Sequence, residues 1–177
     1  MQDLKVTLVQ ATQFWEDKSA NLAHFDDLLK TAGQTDLIVL PEMFHTGFSM
    51  NPGSLAENMD DSMAMRWLAE RAKEKNSAIY TSFIAEENGS FFNRGIFMLP
   101  SGDFQVYDKR KLFGLAGEDQ VFAAGDQKVT VEYKGWKILL QICYDLRFPE
   151  ISRNAVSVNG TTDFDVILYV ANWPERR

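Results

Sequence analysis

The chain has 177 residues, enough for one domain (1–177) that buries roughly 70% of its unfolded surface. Its 45% apolar and 24% charged content is that of a globular protein, and a net charge of −7 argues against nucleic acid as the main partner, since phosphate binding needs a basic face. No run approaches the ~18 apolar residues of a membrane span, the first residues carry no export signal, and a lone cysteine with two histidines permits neither an internal disulfide nor a metal-ligand spacing, so the expectation is a cytoplasmic protein without metal or cofactor.

Leu4 to Gln10 alternates Leu4, Val6 and Leu8, with Val9 added, and reads as a strand. Ser19 is the expected cap of a following helix, in which Leu22, Phe25, Leu29 and Ala32 fall at helical spacing and which Gly33 is placed to end. Asp36 to Leu40 is a short apolar strand closed by Pro41, and Asp61 to Lys75 predicts a second helix with Met63, Trp67 and Arg71 on one line and Ala64, Leu68 and Ala72 beside it. Strands are then expected at Ala78 to Ile84, Gly95 to Leu99 and Phe104 to Tyr107, separated by turns at Glu86–Gly89 and Pro100–Asp103. Val129 to Tyr133 and Trp136 to Ile142 flank a Lys134-Gly135 turn, Asn159-Gly160-Thr161 reads as a turn, and Asp165 to Ala171 is the last strand. Helices between early strands followed by later hairpins predict an α/β sheet with antiparallel additions. No repeat, low-complexity segment or linker interrupts it.

Three predicted strand ends carry chemistry. Glu42 follows the strand ending at Leu40, Cys143 ends the strand Trp136 to Ile142, and Asn172-Trp173-Pro174 follows the last strand. A thiol at a sharp strand-end turn, with backbone N–H groups beside it, suits attack on a carbonyl and stabilisation of the resulting oxyanion. The bland alternative is a small buried core residue. The basic run Lys109-Arg110-Lys111 lies between these ends; if extended, it turns Lys109 and Lys111 to one side, and periodicity does not choose between them. His45, three residues past Glu42, offers a rival Cys–His pairing.

Leu40-Pro41-Glu42, Tyr107-Asp108-Lys109 and Ile142-Cys143-Tyr144-Asp145-Leu146-Arg147-Phe148-Pro149 resemble, in order, the three signature blocks of the nitrilase superfamily of carbon–nitrogen hydrolases. The resemblance implies an αββα sandwich and a Glu-Lys-Cys triad of Glu42 as base, Lys109 as the lysine and Cys143 as nucleophile, with Lys111 only a neighbour. It also implies Glu118 as a second glutamate near the site, the Tyr144 N–H beside Lys109 at the oxyanion, and Phe44, Asn172 and Trp173 as substrate-binding residues. Ala116-Gly117-Glu118 and Tyr169 to Pro174 are most similar to the omega-amidase branch, which implies hydrolysis of the terminal amide of a small 2-oxo acid such as 2-oxoglutaramate through a thioester, without cofactor. Another amidase or a carbamoylase is the alternative within the superfamily. Members extend past the Asn-Trp-Pro block while this chain stops at Arg177, so the sandwich is expected to be incomplete at its C-terminus. A homo-oligomer, commonly a dimer in the family, is expected; a non-catalytic chain acting by association is the reading of another class.

Overall fold

The computed structural model describes residues 3–173, and Pro174 of the third strand-end block lies outside the described residues. The order is β1 (Val6–Leu8), α1 (Lys18–Thr31), β2 (Leu37–Val39), α2 (Pro52–Leu55), β3 (Glu57–Asn58), α3 (Met63–Lys75), β4 (Ala78–Glu87), β5 (Ser90–Met98), β6 (Phe104–Asp108), α4 (Glu118–Val121), β7 (Thr130–Tyr133), β8 (Trp136–Ile142) and β9 (Val166–Val170). These strands form two sheets. The first runs β1-β2-β4-β5-β6, with β3 paired to β4; the second runs β7-β8-β9. Strands separated by helices pair in parallel (β1 with β2, β2 with β4), whereas β4-β5-β6 and β7-β8 are antiparallel hairpins, and β9 returns parallel to β8.

The two-residue period of the strands sorts their side chains into two cores. Ile38 and Ile79 face α1 and α3, where Phe25, Leu29, Trp67, Leu68 and Phe83 are buried. Their neighbours Leu37, Val39 and Tyr80 point the other way, against Ile138, Leu140, Ile142, Leu168 and Val170 of the second sheet. Helix layer, sheet and sheet thus stack in the order expected of an αββα sandwich. Truncating a fully buried anchor such as Phe25 to alanine would cost about 3–5 kcal/mol.

Several boundaries move from their expected places, each for a local reason. Asp17, not Ser19, caps α1, its carboxylate accepting the Ala20 N–H at 2.9 Å while Ser19 lies inside the first turn. The helix closes at Ala32, whose N–H returns to the Leu29 carbonyl, so Gly33 is not its cap. Ser62 caps α3 through the Met65 N–H at 3.0 Å, and Asn76, left-handed at φ 48°, ends it. Asn88 and Gly89 alone make the β4–β5 turn, both at positive φ (52° and 77°), so both strands run longer than their apolar patterns suggested.

Among the described residues, β1 and β6 are the edge strands of the first sheet, and β7 and β9 those of the second. Val6 and Leu8 on β1 are 42% and 73% exposed. On β9, Leu168 and Val170 are buried while Val166, Ile167 and Tyr169 are half-buried, so its apolar run is covered on one face more than the other. No helix among the described residues is long and apolar enough to cross a membrane.

Candidate active site

The three expected strand ends converge. Past β2 the chain turns at Met43, held left-handed at φ 48° by its N–H to Ser82 Oγ (3.0 Å) and by Gln13 Nε2, which donates to its carbonyl at 2.7 Å. That turn sends the Glu42 carboxylate inward, where it has no solvent exposure. Glu42 Oε1 accepts from Asn93 Nδ2 and Lys109 Nζ, both at 2.8 Å, and Oε2 accepts the Asn172 N–H at 3.1 Å. Asn93 comes from β5, so four separate elements meet on one carboxylate.

Lys109 is the first residue beyond β6, and its backbone N–H donates to the Asn93 carbonyl at 3.0 Å. The loop 122–128 closes over it through Gly125, whose N–H donates to the Lys109 carbonyl at 2.9 Å. A side chain at Gly125 would collide with the Asp108 carbonyl oxygen, so only glycine permits this approach. The buried Lys109 ammonium also donates to both oxygens of Glu118, each at 2.9 Å. Glu118 opens α4 just after Gly117 (φ 76°), and its Oε2 additionally accepts the Phe113 N–H at 2.6 Å. Burial opposes the Lys109 charge, but Glu42 and Glu118 outweigh it and hold the ammonium above its ordinary pKa. Burial raises the Glu118 pKa despite that ammonium.

Cys143 follows β8 at φ 43°, a left-handed conformation rare for any residue but glycine, and begins a short 3-10 turn, Cys143–Arg147. The strained strand-to-turn geometry lifts the thiol out of the sheet, into the field of the Glu42 carboxylate and the Lys109 ammonium. Burial and the Glu42 carboxylate push the thiol pKa well above its usual value, more than Lys109 lowers it. The resting group is therefore the thiol. The Lys109 ammonium alone does not hold a thiolate here.

Lys111 takes a different course. Half-buried, its ammonium sits 4.6 Å from the Phe148 ring centre and 3.7 Å from Glu150. The backbone leaves β6 after Asp108, so the strand alternation that would have put both lysines on one side does not apply. His45 is also engaged elsewhere, its Nε2 lying 2.9 Å from Glu57 Oε1 and its ring stacked on Phe44. Glu57 is further bound by Lys18 Nζ at 2.8 Å and Ser62 Oγ at 2.6 Å. Burial keeps His45 below its ordinary pKa. This assembly props the loop behind Glu42 and gives no Cys–His pair.

A small pocket of about 120 Å³ opens over the thiol, lined by Phe48, Phe113, Ala116, Cys143, Tyr144, Asn172 and Trp173. Asn172, Trp173 and Tyr144 thus line the pocket over the thiol. Phe44 does not: it is fully buried between Phe25, Trp67 and His45, because the Met43 turn points it into the helix-side core rather than the pocket. Phe48 takes its place, its ring 5.2 Å from Lys109 Nζ. Phe48, Phe113 and Asn93 were not expected from sequence. Only Asn93 left a signal, as a polar residue inside an otherwise strand-like run.

The family model for carbon–nitrogen hydrolases matches residues 5–172. The chain belongs to the carbon–nitrogen hydrolase family. It is 44% identical to the omega-amidase YafV of Yersinia enterocolitica over all of this chain and 66% of that protein, so it spans just under two thirds of the relative's length. A 2-oxoglutaramate amidase of Paenarthrobacter nicotinovorans is 34% identical, over 94% of this chain and 58% of that protein. Among solved structures, a carbon–nitrogen hydrolase superfamily protein of Xanthomonas campestris with an arsenic adduct in its active site superposes with a TM-score of 0.94 at 42% identity, covering all of this chain and 68% of that one.

Proposed function

We propose that this site hydrolyses the terminal amide of a small 2-oxo acid to the carboxylic acid and ammonia through a thioester on Cys143. The observation that carries the reading is one buried carboxylate, Glu42, which binds the Lys109 ammonium and acts on the Cys143 thiol at the end of the neighbouring strand. Glu42 takes the thiol proton as sulfur attacks the amide carbon, and the carbonyl oxygen becomes an oxyanion held by Lys109 Nζ and the Tyr144 N–H. When the C–N bond breaks, the proton on Glu42 passes to nitrogen and ammonia leaves. Water then attacks the thioester as Glu42 accepts its proton; the C–S bond breaks, the thiol recovers that proton, and the acid departs. Glu118 keeps Lys109 charged and aimed throughout.

The names of the two relatives support a 2-oxo acid amide as substrate. So does Arg147, whose guanidinium lies 5.4 Å from the ring of the pocket residue Trp173 and offers a cation to a substrate carboxylate. Ammonia release should be fast from 2-oxoglutaramate, slow from butyramide, and unchanged by EDTA. Arg147→Ala should raise KM about tenfold, the scale of one charge-assisted hydrogen bond, with kcat nearly unchanged. Equal turnover of the two amides, or a KM indifferent to Arg147, would rule out carboxylate recognition; no ammonia from either would favour the non-catalytic reading.

We infer that the chain also associates with a second copy of itself. The exposed apolar side chains of β1 and the open edges of both sheets support this. Sedimentation should show a species heavier than the monomer, and a monodisperse monomer across the micromolar range would refute it.

A further inference from the structure

Asp145 has no solvent exposure and plays no part in the chemistry above. Its Oδ2 accepts the Tyr107 hydroxyl at 2.7 Å and the Ile142 N–H at 2.9 Å, and its Oδ1 accepts the Lys111 N–H at 2.9 Å. These partners fall in a pattern. Tyr107 and Lys111 bracket Lys109, while Ile142 and Asp145 itself bracket Cys143. One carboxylate therefore ties together the two backbone segments that carry the ammonium and the thiol.

The surroundings make this tie specific. Gln141 Nε2 donates to the Tyr107 hydroxyl at 3.3 Å, and the Tyr80 hydroxyl donates to the Gln141 carbonyl at 2.9 Å, so the clasp is continued into β4 and β8. Gly95 leaves the room for it: a side chain there would meet the Tyr80 hydroxyl at 3.2 Å, the Tyr107 carbonyl oxygen at 3.1 Å and the Ile142 side chain at 3.3 Å. Lys109 keeps one backbone bond to Asn93, but beyond it the chain has left its strand, and Cys143 follows β8 at a positive φ, so past these points the Asp145 carboxylate supplies bonds that a ladder no longer does.

We propose that Asp145 is a positioning residue that sets the distance between Cys143 and the Glu42–Lys109 pair. The proposal rests on those three residues being the reactive group. Asparagine at this position has the same shape but can offer only one acceptor oxygen. Either amide orientation turns an NH₂ toward a buried backbone N–H, Ile142 or Lys111, and loosens one side of the clasp. A shift of about 1 Å at the thiol costs roughly 10²-fold in rate.

The test compares Asp145→Asn and the milder Tyr107→Phe with the unaltered chain. Both kinetics on 2-oxoglutaramate and the rate of Cys143 carbamidomethylation by iodoacetamide at pH 7 are normalised to the folded fraction from near-ultraviolet circular dichroism. Asp145→Asn should lose about 10²-fold in kcat with KM within a few-fold, and at least about tenfold in alkylation rate. Tyr107→Phe should lose less in both. If folded molecules of both variants turn over and alkylate within about twofold of the unaltered chain, Asp145 is merely structural and the proposal falls. Alkylation needs no amide substrate. Should the unaltered chain release no ammonia yet lose alkylation in both variants, the positioning role stands and the substrate reading fails.

Discussion

Cys143→Ala is expected to abolish amide hydrolysis, by about 10⁴-fold or more, while leaving the fold intact. The scale is that of removing a nucleophile whose partners then have nothing to act through. The fold should survive because alanine carries the same Cβ at φ 43° as cysteine, so the turn is no more strained than before, and the lost sulfur faces a pocket rather than packed core. Ammonia release together with near-ultraviolet circular dichroism measures both halves. A folded Cys143→Ala protein with unaltered turnover would mean that the chemistry lies elsewhere. Cys143→Ser should be almost as poor, because an alcohol is a far weaker acid than a thiol and gives up its proton less readily.

Lys109→Ala should cost about 10²–10³-fold or more in kcat/KM, whereas Lys111→Ala should cost little. Removing Lys109 leaves Glu42 and Glu118, both fully buried, facing Asn93 with no cation between them. Two carboxylates in that setting cannot both stay ionised, so one takes a proton at neutral pH and the base is lost along with the oxyanion donor. Breaking such a buried pair also destabilises the fold by about 3–5 kcal/mol, so kcat/KM must be referred to folded protein. Lys111→Ala loses a partly exposed contact with the Phe148 ring, worth about 0.5–1 kcal/mol, and a long ion pair to Glu150 worth almost nothing. Comparable losses at the two positions, or a larger one at Lys111, would show that the wrong lysine has been placed at the thiol.

Much of this arrangement was legible in the residues. Alternating apolar positions located all the longer strands, and the 3.6-residue spacing located α1 and α3. A period reports which face of an element is apolar, and that suffices when the element is long. It failed for α2, β3 and α4, four residues or fewer, because a segment barely one period long shows no repeat. It failed again for the β4–β5 hairpin, where Ser90 to Arg94 carries polar side chains inside the ladder.

By itself, the sequence determined that Glu42 and Cys143 stand at the ends of buried strands, because an apolar run broken by a proline or by a polar segment marks such an end. The order of its three blocks also identified the superfamily. Tertiary structure alone decided which side chains turn inward beyond those ends. Phe44 goes to the helix-side core and Phe48 to the pocket because Met43 takes a left-handed turn that no periodicity encodes. Lys109 and Lys111 part because the chain has already left β6. The thiol is held protonated because the packing of the two sheets buries it, and because it brings close a carboxylate, Glu42, from 101 positions earlier in the chain. A side chain's direction within a strand follows from its neighbours in sequence. Past the strand's end it follows from hydrogen bonds to residues such as Asn93, Glu118 and Asp145, which only the pairing of the strands and the packing of the two sheets bring within reach.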